Sequence, residues 1–180
     1  MRGLLILCIA ASFCILSCKR KYTESPKPDG VDKERILDAN RTAVHDEAKA
    51  IAEFINRHEW KMQMTGSGLH YDIYQQGTGE KADGNHVLKI AYKVFLLDGT
   101  MCYEADEAHP LNLVLGRGQQ INGLEEGLML MNKGSRARFV IPNHLAYGLT
   151  GDQDKIPPAS PLYYDVHFIK SEPIPVNSKQ

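Results

Sequence analysis

The sequence predicts an α+β domain, a curved antiparallel β-sheet wrapped around one short helix and preceded by an amphipathic N-terminal helix. Three observations carry this reading. Over residues 32–58, Leu37, Val44, Ala48, Ile51 and Ile55 recur on one helical face, with Glu34, Arg41, Glu47, Lys49 and Glu53 elsewhere. From Trp60 onward the apolar residues instead alternate at every second position, in short runs separated by turn residues. A single helical pattern, residues 121–131 with Leu124, Leu128 and Met131 on one side, interrupts those runs.

The elements follow in order. Residues 1–18, MRGLLILCIAASFCILSC, place one basic residue, Arg2, before an apolar run that stops at Cys18. That is an export signal, too short for a comfortable membrane span. Its end, Ile15-Leu16-Ser17-Cys18, resembles the bacterial lipobox, which implies cleavage before Cys18 and lipid on that thiol; a plain secretory signal or an uncleaved anchor are the alternatives. Residues 19–30, KRKYTESPKPDG, are polar and aperiodic and read as a flexible tether. The helical segment, residues 31–60, must dock its apolar face either on its own domain or on a second copy in a homodimer.

The folded domain spans residues 61–172, with a short tail at 173–180. Residues 61–64 and 69–75 are strands flanking the turn TGSG, and GTGEKADG at 77–84 is a further turn. Val87, Ile90, Tyr92, Val94 and Leu96 mark a strand over 87–97, which Asp98-Gly99 turns back into 101–104. Leu111, Leu113 and Leu115 alternate in a short strand. After the helix, Asn132-Lys133-Gly134 is a stop signal, and Ala137, Phe139 and Ile141 mark the next strand. In the last, residues 162–169, Leu162, Tyr164, Val166 and Phe168 alternate with Tyr163, Asp165 and His167. The intervening loop is turn-rich at Gly148, Gly151, Asp152 and Asp154, yet anchored by Leu145, Tyr147 and Ile156, which suits the wall of a binding site.

Composition removes several classes of function. A formal net charge of -1 over 180 residues, without a basic patch, argues against nucleic acid as a partner. The seven histidines are scattered without ligand-like spacing, so no metal site is expected. Cys8 and Cys14 would leave with the signal and Cys18 would be acylated. Cys102 would then stand alone, without a partner for an intrachain disulfide.

The segments IAYKVFLLDGTMCY, LVLGRGQQINGLEEGLMLMNKGSRARFVIPNHLAYG and IPPASPLYYDVHF resemble, in order and spacing, the FKBP-type peptidyl-prolyl isomerases. The resemblance covers roughly residues 69–172. The change at Cys102-Tyr103 and the pattern Leu145-Ala146-Tyr147-Gly148, Gly151-Asp152, Lys155-Ile156 are similar to a Bacteroidetes subset of gliding-motility-associated isomerase lipoproteins. The family implies an isomerase acting on proline-containing polypeptides, with no cofactor and no metal. Together with the lipobox it implies a bacterial cell-envelope protein, held to a membrane by lipid and facing periplasm or exterior, that assists folding of exported proteins.

By the same resemblance, Tyr92, Ile121 and Tyr147 are the catalytic positions, Ile121 through its backbone N–H and Tyr147 through its hydroxyl. Cys102, Tyr103, Leu111, Gln120, Leu124, Ile156 and Tyr164 line the proline pocket, with Leu124 as its floor. The double proline Pro157-Pro158 stiffens the return of the overhanging loop. Two positions depart from the family, which usually has Phe-Asp where this chain has Cys102-Tyr103. Two other readings stand beside an isomerase: a proline-peptide-binding module with little turnover, and a structural lipoprotein of a membrane assembly.

Overall fold

The computed structural model describes residues 30–175. Residues 1–29, which include the expected signal segment with Cys18 and most of the expected tether, and residues 176–180 of the expected tail lie outside the described residues. The chain divides into two compact units, residues 1–39 and 40–180, and the packing below belongs to the second.

Helix α1, Gly30–Arg57, comes first. It ends in a Schellman arrangement. Glu59 takes the left-handed conformation (φ 55), its N–H reaches the Asn56 carbonyl at 3.0 Å, and the Trp60 N–H reaches the Ile55 carbonyl at 3.3 Å. Within this chain the apolar face is covered only towards its C-terminal end. Ile51, Phe54 and Ile55 are buried, while Leu37, Val44 and Ala48 are exposed.

The strands are β1 Gln63–Met64, β2 His70–Gln75, β3 His86–Leu96, β4 Met101–Ala105, β5 Leu111–Leu113, β6 Arg136–Ile141 and β7 Leu162–Pro173. They pair antiparallel in the order β1-β2-β6-β7-β3-β4, with β5 also on β3. The expected antiparallel sheet and its short helix are therefore present, with altered ends. Leu115 falls after β5 although it stays buried. Strand β7 runs past residue 169 to Pro173 because the start of β3 pairs with it there, His86 opposite Pro173 and Lys89 opposite Lys170.

Helix α2, Asn122–Met129, is shorter than its periodicity suggests, and Met131 packs into the core from beyond its end. The core lies between α2 and one face of the sheet. Leu124 and Leu128 meet Ile90, Val94, Phe139, Ile141, Leu162, Val166 and Phe168, all almost fully buried. At Gly127 the helix lies so close to β6 that an added Cβ would stand 2.7 Å from the Phe139 ring. The other face of the sheet holds a second cluster, where Ile51, Phe54 and Ile55 of α1 pack on Val140, with Trp60, Met62, Leu97 and Tyr163 around them. Alternation along β6 and β7 sends Phe139 and Tyr164 to one core and Val140 and Tyr163 to the other.

Candidate active site

Long apolar strands and a short helix bring distant residues to one end of the inner core. Tyr92 comes from β3, Cys102 and Tyr103 from β4, Leu111 from β5, Leu124 from α2 and Tyr164 from β7. Ile121 precedes α2, and Tyr147 and Ile156 come from the loop over residues 146–161. Cys102, Leu124, Ile156 and Tyr164 are buried in the core cluster, and Tyr92, Tyr103, Leu111, Ile121 and Tyr147 pack against it half-buried. Gln120 is half-buried on the segment leading into α2 and takes no part in that apolar packing. Two surface clefts, of about 360 and 320 Å³, lie elsewhere. The first is lined by residues such as Lys61, Gln63 and Asp72, and the second shares only Tyr92 with the residues above.

The aromatic part is built on the β3–β7 register. Val94 stands opposite Tyr164 and Tyr92 opposite Val166, so the two tyrosines are diagonal neighbours on one face. Their rings stack with centroids 5.8 Å apart. Burial pushes the phenols of Tyr92, Tyr147 and Tyr164 above their ordinary range, and the Asp152 charge adds to the rise at Tyr147 and Tyr164. All three therefore stay protonated at neutral pH. None of their hydroxyls has a hydrogen-bond partner among the described residues, and none is sealed from solvent. They are unspent donors around an apolar floor.

The N-terminus of α2 supplies a further donor. Ile121 is extended (φ -61, ψ 146), and its carbonyl accepts the N–H groups of Leu124 at 3.1 Å and Glu125 at 3.2 Å. Its own N–H has no partner among the described residues. Glu125 holds the approach to this turn, because its Oε2 accepts the Gly116 N–H at 2.8 Å. The Cys102 thiol sits 3.8 Å from the Thr100 carbonyl and 3.9 Å from that of Lys155, and burial raises its pKa, so it remains a neutral, unreactive thiol. No group of three or more His, Cys, Asp or Glu suited to a metal ion occurs among the described residues.

This arrangement of sheet, helix and loop has relatives. The model of the family "FKBP-type peptidyl-prolyl cis-trans isomerase" matches residues 78–169. The chain belongs to the FKBP-type peptidyl-prolyl cis-trans isomerase family. An FK506-binding protein of Neisseria meningitidis serogroup B is 33% identical over 104 residues, 57% of this chain and 95% of that protein. The FkpA isomerase of Aeromonas hydrophila is 34% identical over 137 residues, which cover 74% of this chain but only 50% of the relative. A probable FkpA of Neisseria meningitidis serogroup B is 35% identical, and the match covers 61% of this chain and 40% of that protein. The chain thus spans half or less of the length of these two FkpA relatives. Among solved structures, FkpA from Escherichia coli superposes with a TM-score of 0.64 at 30% identity, covering 81% of this chain and 68% of that one.

Within this candidate site, position 103 carries a phenol whose proton is already committed. Tyr103 donates to Asp152 Oδ2 at 2.6 Å and also faces Asp154 Oδ2 at 3.1 Å, while Lys155 Nζ lies 4.9 Å from the centre of its ring. A carboxylate therefore does stand beside the site, on the loop rather than on β4. In the sequence alone Asp152 and Asp154 read as turn formers. The available signal was Gly151, which has φ +68 and whose added Cβ would stand 2.3 Å from the Ile156 carbonyl oxygen. A loop folded that tightly on itself points its polar side chains at defined partners.

Proposed function

We propose that this chain is a peptidyl-prolyl cis-trans isomerase that acts without a covalent intermediate. The observation that carries this reading is the apolar floor of Leu124 and Ile156 with donors around it that have no partner among the described residues, the Tyr92, Tyr147 and Tyr164 hydroxyls and the Ile121 N–H. Rotation about an X-Pro bond faces a barrier of ~18–20 kcal/mol, because the twisted amide loses its resonance. That twisted amide also has less charge separation than the planar one. An apolar floor that excludes water favours it over the ground state, and donors around the floor hold the flanking carbonyls still. No acid or base of matched pKa is needed, and raised phenols suit the role of donor rather than base.

The wider setting belongs to the same proposal. The apolar run ending at Ser17-Cys18 supports lipid attachment at Cys18 and export to a bacterial envelope, where the isomerase assists folding of exported proteins. The Cys102-Tyr103 change supports placement in the gliding-motility-associated subset. Exposed Ile36, Leu37 and Val44 support a second copy as a partner of α1. A reading as a proline-peptide-binding module with little turnover draws on one feature, the Tyr103 hydroxyl already spent on Asp152.

Exchange between cis and trans proline peptides, followed by NMR with the fragment from Lys19 onward, separates these readings. Catalysed exchange supports the isomerase; peptide binding without exchange supports the module. Fatty-acid labelling of wild type and Cys18→Ser tests the anchor, which is refuted by equal labelling of both.

A further inference from the structure

The loop over residues 146–161 carries two residues of the site, Tyr147 and Ile156, and its conformation converges on one side chain. Asp152 Oδ1 accepts the N–H groups of Asp154 at 2.9 Å and Ile156 at 2.8 Å. The Asp152 N–H in turn donates to the Ile156 carbonyl at 3.1 Å. Both backbone polar groups of Ile156 are thus held by Asp152, and Ile156 itself is buried in the floor. The remaining oxygen, Oδ2, reaches out of the loop and takes the hydroxyl proton of Tyr103 on β4. Lys155 lies over the same ring, and the Cys102 thiol faces the Lys155 carbonyl.

We propose that Asp152 is a positioning residue of the isomerase and that its bond to Tyr103 is a latch, holding the loop with Tyr147 and Ile156 against β4. The inference rests on the isomerase reading above. One carboxylate does two jobs: Oδ1 shapes the loop from within, and Oδ2 ties it to the sheet. Hydrogen bonds to an ionised acceptor are about twice as strong as neutral ones, so this is the contact across the loop–β4 boundary most able to hold the closed form. Asp152 stays ionised, because the Tyr103 hydroxyl and the Asp154 and Ile156 N–H groups together outweigh burial and depress its pKa. Tyr103 stays protonated, since the Asp152 bond is the main cause pushing its pKa up. The latch is therefore closed throughout the neutral range.

The kinetic consequence follows from populations. If only the closed loop binds a proline peptide well, opening it divides the Kd by the closed fraction, which raises the apparent Kd, and leaves the bound complex unchanged. Losing the latch then raises KM and spares kcat. A merely structural role would instead lower the unfolding midpoint without that division.

The test uses the full-length chain in detergent, with Tyr103→Phe, Asp152→Asn and the double variant. Tyr103→Phe removes one oxygen and keeps the ring under Lys155, so it guards against simple misfolding. Each single variant should raise KM for a proline peptide about threefold to tenfold, with kcat and the unfolding midpoint retained. The double variant should be no worse than the worse single one, since both act on the same bond, Asp152→Asn by replacing its ionised acceptor with a neutral amide and Tyr103→Phe by removing its donor. Active wild type with unchanged KM in all three variants overturns the latch and leaves the isomerase standing. A fall in kcat at constant KM also overturns it, by showing action in the transition state. Wild type without activity overturns both readings.

Discussion

Replacing Gly127 by alanine would test how closely α2 must lie on the sheet for the site to work. A Cβ there would stand 2.7 Å from Cε2 and Cζ of Phe139 and 2.9 Å from its Cδ2. Carbon atoms settle at about 3.5–4.0 Å, so helix or ring must yield by about 0.8 Å or more. The ring has little room, because Phe139 is fully buried in the core cluster. Overpacking of this kind costs about 1–3 kcal/mol. Alanine's better helix propensity offsets about 0.8–1.0 kcal/mol of that. The expected net loss is about 0–2 kcal/mol, or at most about 4–8 °C in Tm for a chain of this size. Activity should suffer more. The helix carries Leu124 and begins beside Ile121, so a shift of about 1 Å moves both the floor and the free N–H, and misplacement on that scale costs about 10²-fold. Denaturant unfolding and NMR exchange on a proline peptide measure the two effects separately. Phe139→Leu in the Gly127→Ala background should restore part of the activity by removing the ring edge that the Cβ meets. Full kcat/KM with an unchanged midpoint in Gly127→Ala would refute the reasoning.

Further expectations concern the site and the second core. Tyr147→Phe should lower kcat/KM about threefold to tenfold, the worth of one hydrogen bond, and an unchanged value would remove Tyr147 from the set of working donors. Leu124→Arg places an unpaired charge at a fully buried position and should abolish activity or folding, so a folded, fully active variant would refute the site. Phe54→Ala should cost about 3–5 kcal/mol in denaturant unfolding, because Phe54 is buried and packs on both Trp60 and Tyr163; a loss under 1 kcal/mol would mean that α1 is a loose appendage. The pH profile of kcat/KM should be flat across the neutral range. The pKa values of Tyr92, Tyr147, Tyr164 and Cys102 are raised, so their neutral forms persist until pH climbs past their usual values. That of Asp152 is lowered, so its contribution is present above the usual carboxylate range and fades only as pH falls through the depressed value. A bell-shaped profile centred near neutrality would show that a group outside this set controls the rate.

Local pattern was sufficient where burial is one-sided and periodic. Leu162, Tyr164, Val166 and Phe168 alternate because β7 turns one face to α2, and alternation is visible in any window of the chain. Along α1 the same pattern is covered only in part. Leu37, Val44 and Ala48 have the same helical spacing as Ile51 and Ile55, yet only the last two are covered. Period defines a face, whereas burial requires a packing partner at each turn of it. Phe54, three residues after Ile51, shares that face, and its ring contacts both Trp60 and Tyr163 in the second cluster.

The order of strands and helices and the apolar positions of the inner core were determined by the sequence through periodicity, and a resemblance spread along the chain named the residues of the candidate site. The tertiary structure alone decided that the second face of the sheet is covered by the end of α1, with Val140 buried and Tyr163 half-buried there. It alone decided that the carboxylate beside the site comes from Asp152. A turn-forming aspartate satisfies its neighbours in sequence whatever the fold, but Tyr103 lies 49 residues away and meets it only because β4 and the loop end at the same place. Pair contacts at that separation leave no periodic trace, since nothing in the local backbone requires them.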